Sequence, residues 1–232
     1  MRVGPHASFG SLVVAFALVA GLGRIAAAAE APSVAILYFD YDGKDADLAL
    51  LRKGLAQMLI SDLAGNTSVR IVERERLQEV LAELKLQSSA KIDPATAVKV
   101  GKLIGARYLV LGAYFDVMKT FRADARVVDV ETGRILYSSG ATGKPEDFLP
   151  LEQKLADDLG KYFSSSLPAV KPASGRPKPP ASLKATTAIL YGKALDAMDA
   201  GDKPKAKEAL EKVVKEQPDF QLASLDLDKM MK

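Results

Sequence analysis

Residues 108–141 read YLVLGAYFDVMKTFRADARVVDVETGRILYSSGA, and this stretch decides the fold. Tyr108 to Met118, Phe121 to Val130 and Ile135 to Ala141 are three runs rich in β-branched and aromatic residues, the side chains that suit a pleated, half-buried surface. Lys119-Thr120 and Thr132-Gly133 separate them as tight turns, so the spacing predicts an antiparallel meander. Thr132-Gly133 reads as hairpin chemistry rather than a binding motif.

Upstream, the pattern alternates between strand and helix. Val34 to Phe39 is a continuous apolar run, the mark of a buried strand. Leu48, Leu51, Leu55, Leu59 and Leu63 then recur at helical spacing, with Arg52, Lys53 and Asp62 expected on the wetter side and Gly65-Asn66 as the stop. Val69 to Val72 is a second short strand. Leu77, Val80, Leu81 and Leu84 carry the stripe of another helix, whose Glu73, Arg74 and Glu75 read as a charged helix start. Asp93-Pro94 opens a third helix, a capping carboxylate followed by a proline where no backbone donor is lost. It ends near Gly105-Ala106, a close turn of helix into strand. Downstream of the meander, Phe148, Leu151, Leu155, Leu159 and Tyr162 share one face of a helix from about Glu146 to Phe163. The expected class is α/β, a mixed five-stranded sheet packed with helices.

The two ends are different in kind. Arg2, an apolar run from Leu12 to Leu22 and the small residues Ala27-Ala28-Ala29 follow the order of a signal peptide, with cleavage expected before Glu30. The run is short of the roughly 20 apolar residues that span a bilayer, and no cysteine is present for acylation. Periplasmic export without a membrane span follows as the expectation. Loss of residues 1–29 removes Arg2 and Arg24 from the 32 basic residues and no acid, leaving 30 basic against 29 acidic, a net charge of +1. That balance offers no general attraction to nucleic acid. Leu167 to Ser182 holds five prolines, three basic residues and no acids, and reads as a semi-extended linker. The organisation is therefore 1–29 signal peptide, 30–166 α/β domain, 167–182 linker and 183–232 an all-helical segment. In that segment Ala185 to Ala200 and Pro204 to Glu216 form an antiparallel pair turned by Gly201-Asp202, with a shorter helix from about Phe220.

In order along the chain, VAILYFD (34–40), VRIVERERLQEVLAEL (69–84), GKLIGARYLVLGAY (101–114) and RVVDVETGRILYS (126–138) resemble segments of the CsgG-like family. The resemblance spans residues 33–163. It implies a fold shared with the amino-terminal domain of TolB and with periplasmic activators of penicillin-binding proteins, and a non-enzymatic role in envelope assembly or secretion through binding of envelope or secretion proteins. Two alternatives come with it: an oligomeric curli-type transport component at the outer membrane, and an activator of a peptidoglycan synthase. A channel of this family resembles a barrel built from spanning hairpins, each strand about 9–11 residues with its own turn. The tight connections between Val110 and Ser139 leave no room for them.

Residues 187–220 resemble a tetratricopeptide repeat, with Ala194 and Ala206 at close-approach positions, Pro218 at the end of the second helix, and Lys193 where an aromatic is expected. One repeat cannot bury its apolar face alone. Leu190, Leu210, Val213 and Val214 must pack on the terminal helix, on the first domain or on another chain. Leu190, Tyr191, Lys193, Ala194, Leu210 and Val213 are accordingly the candidate protein-binding residues, and a second copy of the chain is one candidate partner.

Enzymatic chemistry finds little purchase. The sole histidine, His6, lies in the expected leader, so the mature chain has neither histidine nor cysteine for a triad or a zinc site. Gly140 to Lys144 lacks the spacing of a phosphate loop. Asp40, Asp42, Asp45 and Asp47 cluster after the first strand without the glycine and glutamate of a calcium loop; a carboxylate-dependent hydrolase on that cluster is the weakest reading. No cofactor, no metal and no catalytic residue is expected.

Overall fold

The computed structural model describes Met1 and residues 30–86, 92–118, 120–167 and 180–232. The expected signal peptide and most of the proline-rich linker lie outside the described residues. Strands β1 (Ser33–Ile36), β2 (Asp40–Tyr41), β3 (Arg70–Ile71), β4 (Tyr108–Val117), β5 (Thr120–Asp129) and β6 (Ile135–Gly143) form one mixed sheet. Its order is β3-β1-β4-β5-β6, with β2 pairing β4 beyond the end of β1. β1 runs parallel to β3 and β4, whereas β4, β5 and β6 are antiparallel, the meander read from the sequence.

Among the described residues seven α-helices pack around it: α1 (Leu51–Leu63), α2 (Arg74–Glu83), α3 (Pro94–Ile104), α4 (Phe148–Ser166), α5 (Ala185–Asp199), α6 (Lys203–Glu216) and α7 (Gln221–Met231). The caps follow the sequence. Asp93 accepts from the backbone N–H groups of Ala95 and Thr96, and Asp202 accepts from that of Lys205. Gly105 closes α3 at φ 74°, a left-handed value that costs a residue with a Cβ.

Alternation along the meander sends Phe121, Ala123, Ala125 and Val127 to one face, where they are buried. Phe121 meets Phe148 of α4 edge to face at 6.1 Å, and Tyr137 of β6 stacks on Tyr162 at 4.6 Å. Leu109 points the other way, under α3, beside Gly101.

The helices after the linker do not stand apart from this core. α5 lies along α1, and Tyr191, Leu195, Leu210, Val213 and Phe220 join the same buried cluster as Val34, Leu55 and Phe163. Of the three coverings open to the apolar face of the helical pair, two are used: α7 and the first domain. α1 is consequently buried almost all round, and the side expected to be wet is not. Lys53 and Asp62 are buried, and Arg52 is half-buried against Asp40.

Candidate binding surface

The outer face of β4, β5 and β6 carries the side chains that alternation turns away from α4. Cross-strand register aligns Leu111 with Arg126 and Ser138, Ala113 with Asp124 and Gly140, and Phe115 with Arg122 and Thr142. Arg122, Arg126, Ser138 and Thr142 are exposed, and Leu111 and Phe115 are half-buried. Arg122 holds Asp124 two residues on, at 2.8 Å, while Arg126 has no ion pair among the described residues.

Where this face meets the start of α3, a cleft of about 400 Å³ opens. Ile92, Pro94, Leu111 and Phe115 supply apolar walls; Asp40, Asp42 and Asp124 supply negative charge and Arg126 a positive one. Apolar walls with a few polar groups of both signs are a composition found in binding clefts.

Two neighbouring tyrosines are held in the protonated form. The Tyr41 hydroxyl is pushed up to about 12 by burial and by its hydrogen bond to the Asp116 carboxylate, so it stays protonated and serves as a donor. The Tyr114 hydroxyl is raised further by burial and donates to the Leu48 carbonyl. Asp45 does local work, accepting from the backbone N–H groups of Asp47 and Leu48 at 2.8 and 3.1 Å. Among the described residues no group of three or more His, Cys, Asp or Glu could hold a metal ion.

The candidate residues of the helical pair are placed differently from one another. Tyr191, Ala194, Leu210 and Val213 are fully buried within this chain, Leu190 is half-buried, and only Lys193 is exposed. Tyr191 Oη donates to the Asp226 carboxylate of α7 at 2.7 Å and its ring meets Phe220 at 4.9 Å. These four side chains assemble the segment itself.

The junction between α5 and the sheet domain also holds charge that periodicity did not reveal. Lys53 Nζ lies 2.7 Å from Asp199 and 2.6 Å from Asp196, and Arg74 donates to the same Asp199 carboxylate. The side chains of Lys53, Arg74 and Asp199 are 5, 3 and 7 % exposed, whereas Asp196 stands at the solvent edge of the cluster. Tyr38 Oη adds a hydrogen bond to Gln78, and burial together with the Asp199 charge raises its pKa. For Arg74 burial opposes the charge, but Asp199 and Tyr38 outweigh it and hold the guanidinium protonated. Arg74 opens α2 and also reaches across a junction, while Glu73, the N-cap, makes no side-chain cap bond. A charged residue in an amphipathic helix start reads as solvated because its partner lies 125 residues away.

The model of the family described as curli production assembly/transport component CsgG matches residues 44–118. The chain resembles CsgG. The matched segment, under half of the chain, runs from the loop before α1 to the end of β4 and includes Ile92, Pro94, Leu111 and Phe115 of the cleft. Among solved structures, the chain is similar to the LpoB C-terminal domain from Salmonella enterica, at 16% identity over 49% of this chain and 83% of that one, with a TM-score of 0.43. It is similar to a lipoprotein from Neisseria meningitidis, at 16% identity over 59% and 99%, TM-score 0.44. A PelC dodecamer from Paraburkholderia phytofirmans gives 17% identity over 60% and 89%, TM-score 0.35. No curated protein sequence matches. No helix among the described residues is long and apolar enough to cross a membrane.

Proposed function

We propose that this chain is a non-enzymatic, protein-binding factor of the bacterial envelope, resembling CsgG and acting in envelope assembly or secretion from the periplasm. The observation that carries the reading is the CsgG match over the segment that builds one wall of the open cleft. An uncovered sheet face with half-buried Leu111 and Phe115 and an unpaired Arg126 suits a polypeptide partner. A leader of signal-peptide order supports export, and a mature chain without histidine or cysteine supports a role outside catalysis.

Site-specific photocrosslinking in the native host tests this. A photoreactive phenylalanine analogue at Phe115 or Arg126 is expected to capture a discrete envelope protein, while the same probe at Lys212, exposed on α6, captures none. Adducts at Lys212 alone, or none at either cleft position, overturn the reading.

A further inference from the structure

The crossover that carries the chain from β1 to β2 belongs to two places at once. On one side Leu37, Tyr38, Asp40 and Asp42 line the cleft. On the other, the Tyr38 side chain is buried in the Lys53, Arg74 and Asp199 cluster. Its Oη donates to Gln78 at 3.0 Å, lies 3.5 Å from Asp199 and accepts from Arg74, while Lys53 Nζ stands 5.4 Å from the ring centroid. Helices α1, α2 and α5 thus converge on one residue of the cleft wall. Between Ile36 and Asp40 the chain leaves the strands. Phe39 bonds there to α1: its N–H donates to the Arg52 carbonyl at 3.3 Å, and its carbonyl accepts from Arg52 Nε at 2.7 Å. A segment outside the ladder opens at a lower free energy than the strands beside it, so these helix contacts set its place.

We propose that Tyr38 is a positioning residue of the cleft, through which the docked helical segment holds the cleft wall in its binding shape. The inference rests on the reading of the cleft as a partner site and adds how that site is controlled. It also gives the helical segment a role, since Tyr191, Ala194, Leu210 and Val213 are buried and do not meet a partner themselves. Asp199, at the end of α5, is the residue by which the segment acts on the crossover. Linkage makes the effect mutual. A partner that binds the cleft with the crossover in place steadies the α5 junction, and loosening the junction weakens the partner by the same factor.

Hydrogen–deuterium exchange on the full chain, read by mass spectrometry, tests the support, and photocrosslinking at Phe115 tests its consequence. Tyr38→Phe keeps the ring and removes the hydroxyl. Asp199→Asn keeps the shape of the acceptor and removes its charge. In both variants exchange across residues 37–42 is expected to rise by about tenfold, the effect of losing a hydrogen bond to a charged group, while residues 121–129 of β5 stay as in the parent. Lys212→Ala, on exposed α6, is expected to change neither segment. Capture at Phe115 is expected to fall several-fold in Tyr38→Phe. Crossover exchange equal to the parent's in both variants, a uniform rise across the chain in Tyr38→Phe, or undiminished capture at Phe115 despite a loosened crossover overturns the proposal. No capture by the parent at Phe115 or Arg126 overturns the partner reading instead, and the exchange contrast alone then decides whether Tyr38 holds the cleft wall.

Discussion

Gly192 of α5 crosses Leu50 so closely that a Cβ at position 192 would lie 1.8 Å from the Leu50 carbonyl oxygen. The obstacle is backbone at the head of α1, which a rotamer change cannot relieve. Gly192→Ala is therefore expected to destabilise the protein by about 3 kcal/mol, the upper part of the range for overpacking. Gly54→Ala, whose Cβ would sit 3.4 Å from the Ala188 carbonyl, is expected within about 1 kcal/mol of neutral, because alanine's helix propensity offsets the tighter contact. Urea unfolding of both variants checks the contrast, and equal effects would refute the crossing geometry.

Asp199 is the acceptor shared by Lys53 and Arg74. Asp199→Ala leaves Arg74 without its buried acceptor, while Lys53 keeps Asp196, so a loss of about 3 kcal/mol is expected. Replacing half-buried Asp202, which caps α6, with alanine is expected to cost about 1 kcal/mol. If the ranking of the two reverses in chemical denaturation, the buried junction is not what ties α5 to the sheet domain.

The sequence marks 183–232 as separable from 30–166 and expects the latter to fold alone. Docking of α5 on α1 gives that deletion a different expected outcome. Without the helical segment, Lys53 and Arg74 lose Asp199, and the α1 side around Gly54 and Met58 opens to water. The 30–166 fragment is expected to lose a cooperative thermal transition or to self-associate, as judged by circular dichroism and light scattering. A monomeric fragment melting within a few degrees of the whole chain would establish two independent units.

Burial pushes the Asp226 carboxyl above its ordinary range, against the hydrogen bond from Tyr191 and the charges of Lys229 and Arg74, with Glu75 adding to the rise. The folded state then binds this proton more tightly than the unfolded state, so the group's contribution is present at low pH and is lost as pH rises from the unfolded to the folded value. Asn at this position keeps an acceptor for Tyr191 without a charge to desolvate. Asp226→Asn is expected to equal or exceed the parent in stability at pH 7, with the gap closing as pH falls into the carboxylate range. Opposite pH dependence comes from Asp93 and Asp158, whose pKa values are lowered by hydrogen bonds from Thr96 and Lys154 respectively, so the variant comparison, not the parent's profile, isolates Asp226. A variant less stable at pH 7 and converging nowhere would contradict the assignment.

Local signals were sufficient for most of the architecture. Period-two alternation in 108–141, leucine spacing in 48–63, Asp93-Pro94 and Gly201-Asp202 each act within a few residues, so the strands, helices and caps they specify are legible in one dimension. The CsgG resemblance was legible for the same reason, being carried by short ordered motifs. Long-range partnership was decided only by the tertiary structure. Arg74 and Lys53 carry the signature of solvated helix positions, and nothing near them in the chain announces an aspartate on α5. Tyr191, Ala194, Leu210 and Val213 form an apolar stripe that fits an external partner as well as an internal one. The choice between them rests on the Gly192 approach to Leu50, where the absence of a side chain lets two backbones touch, and periodicity carries no information about which backbone that will be.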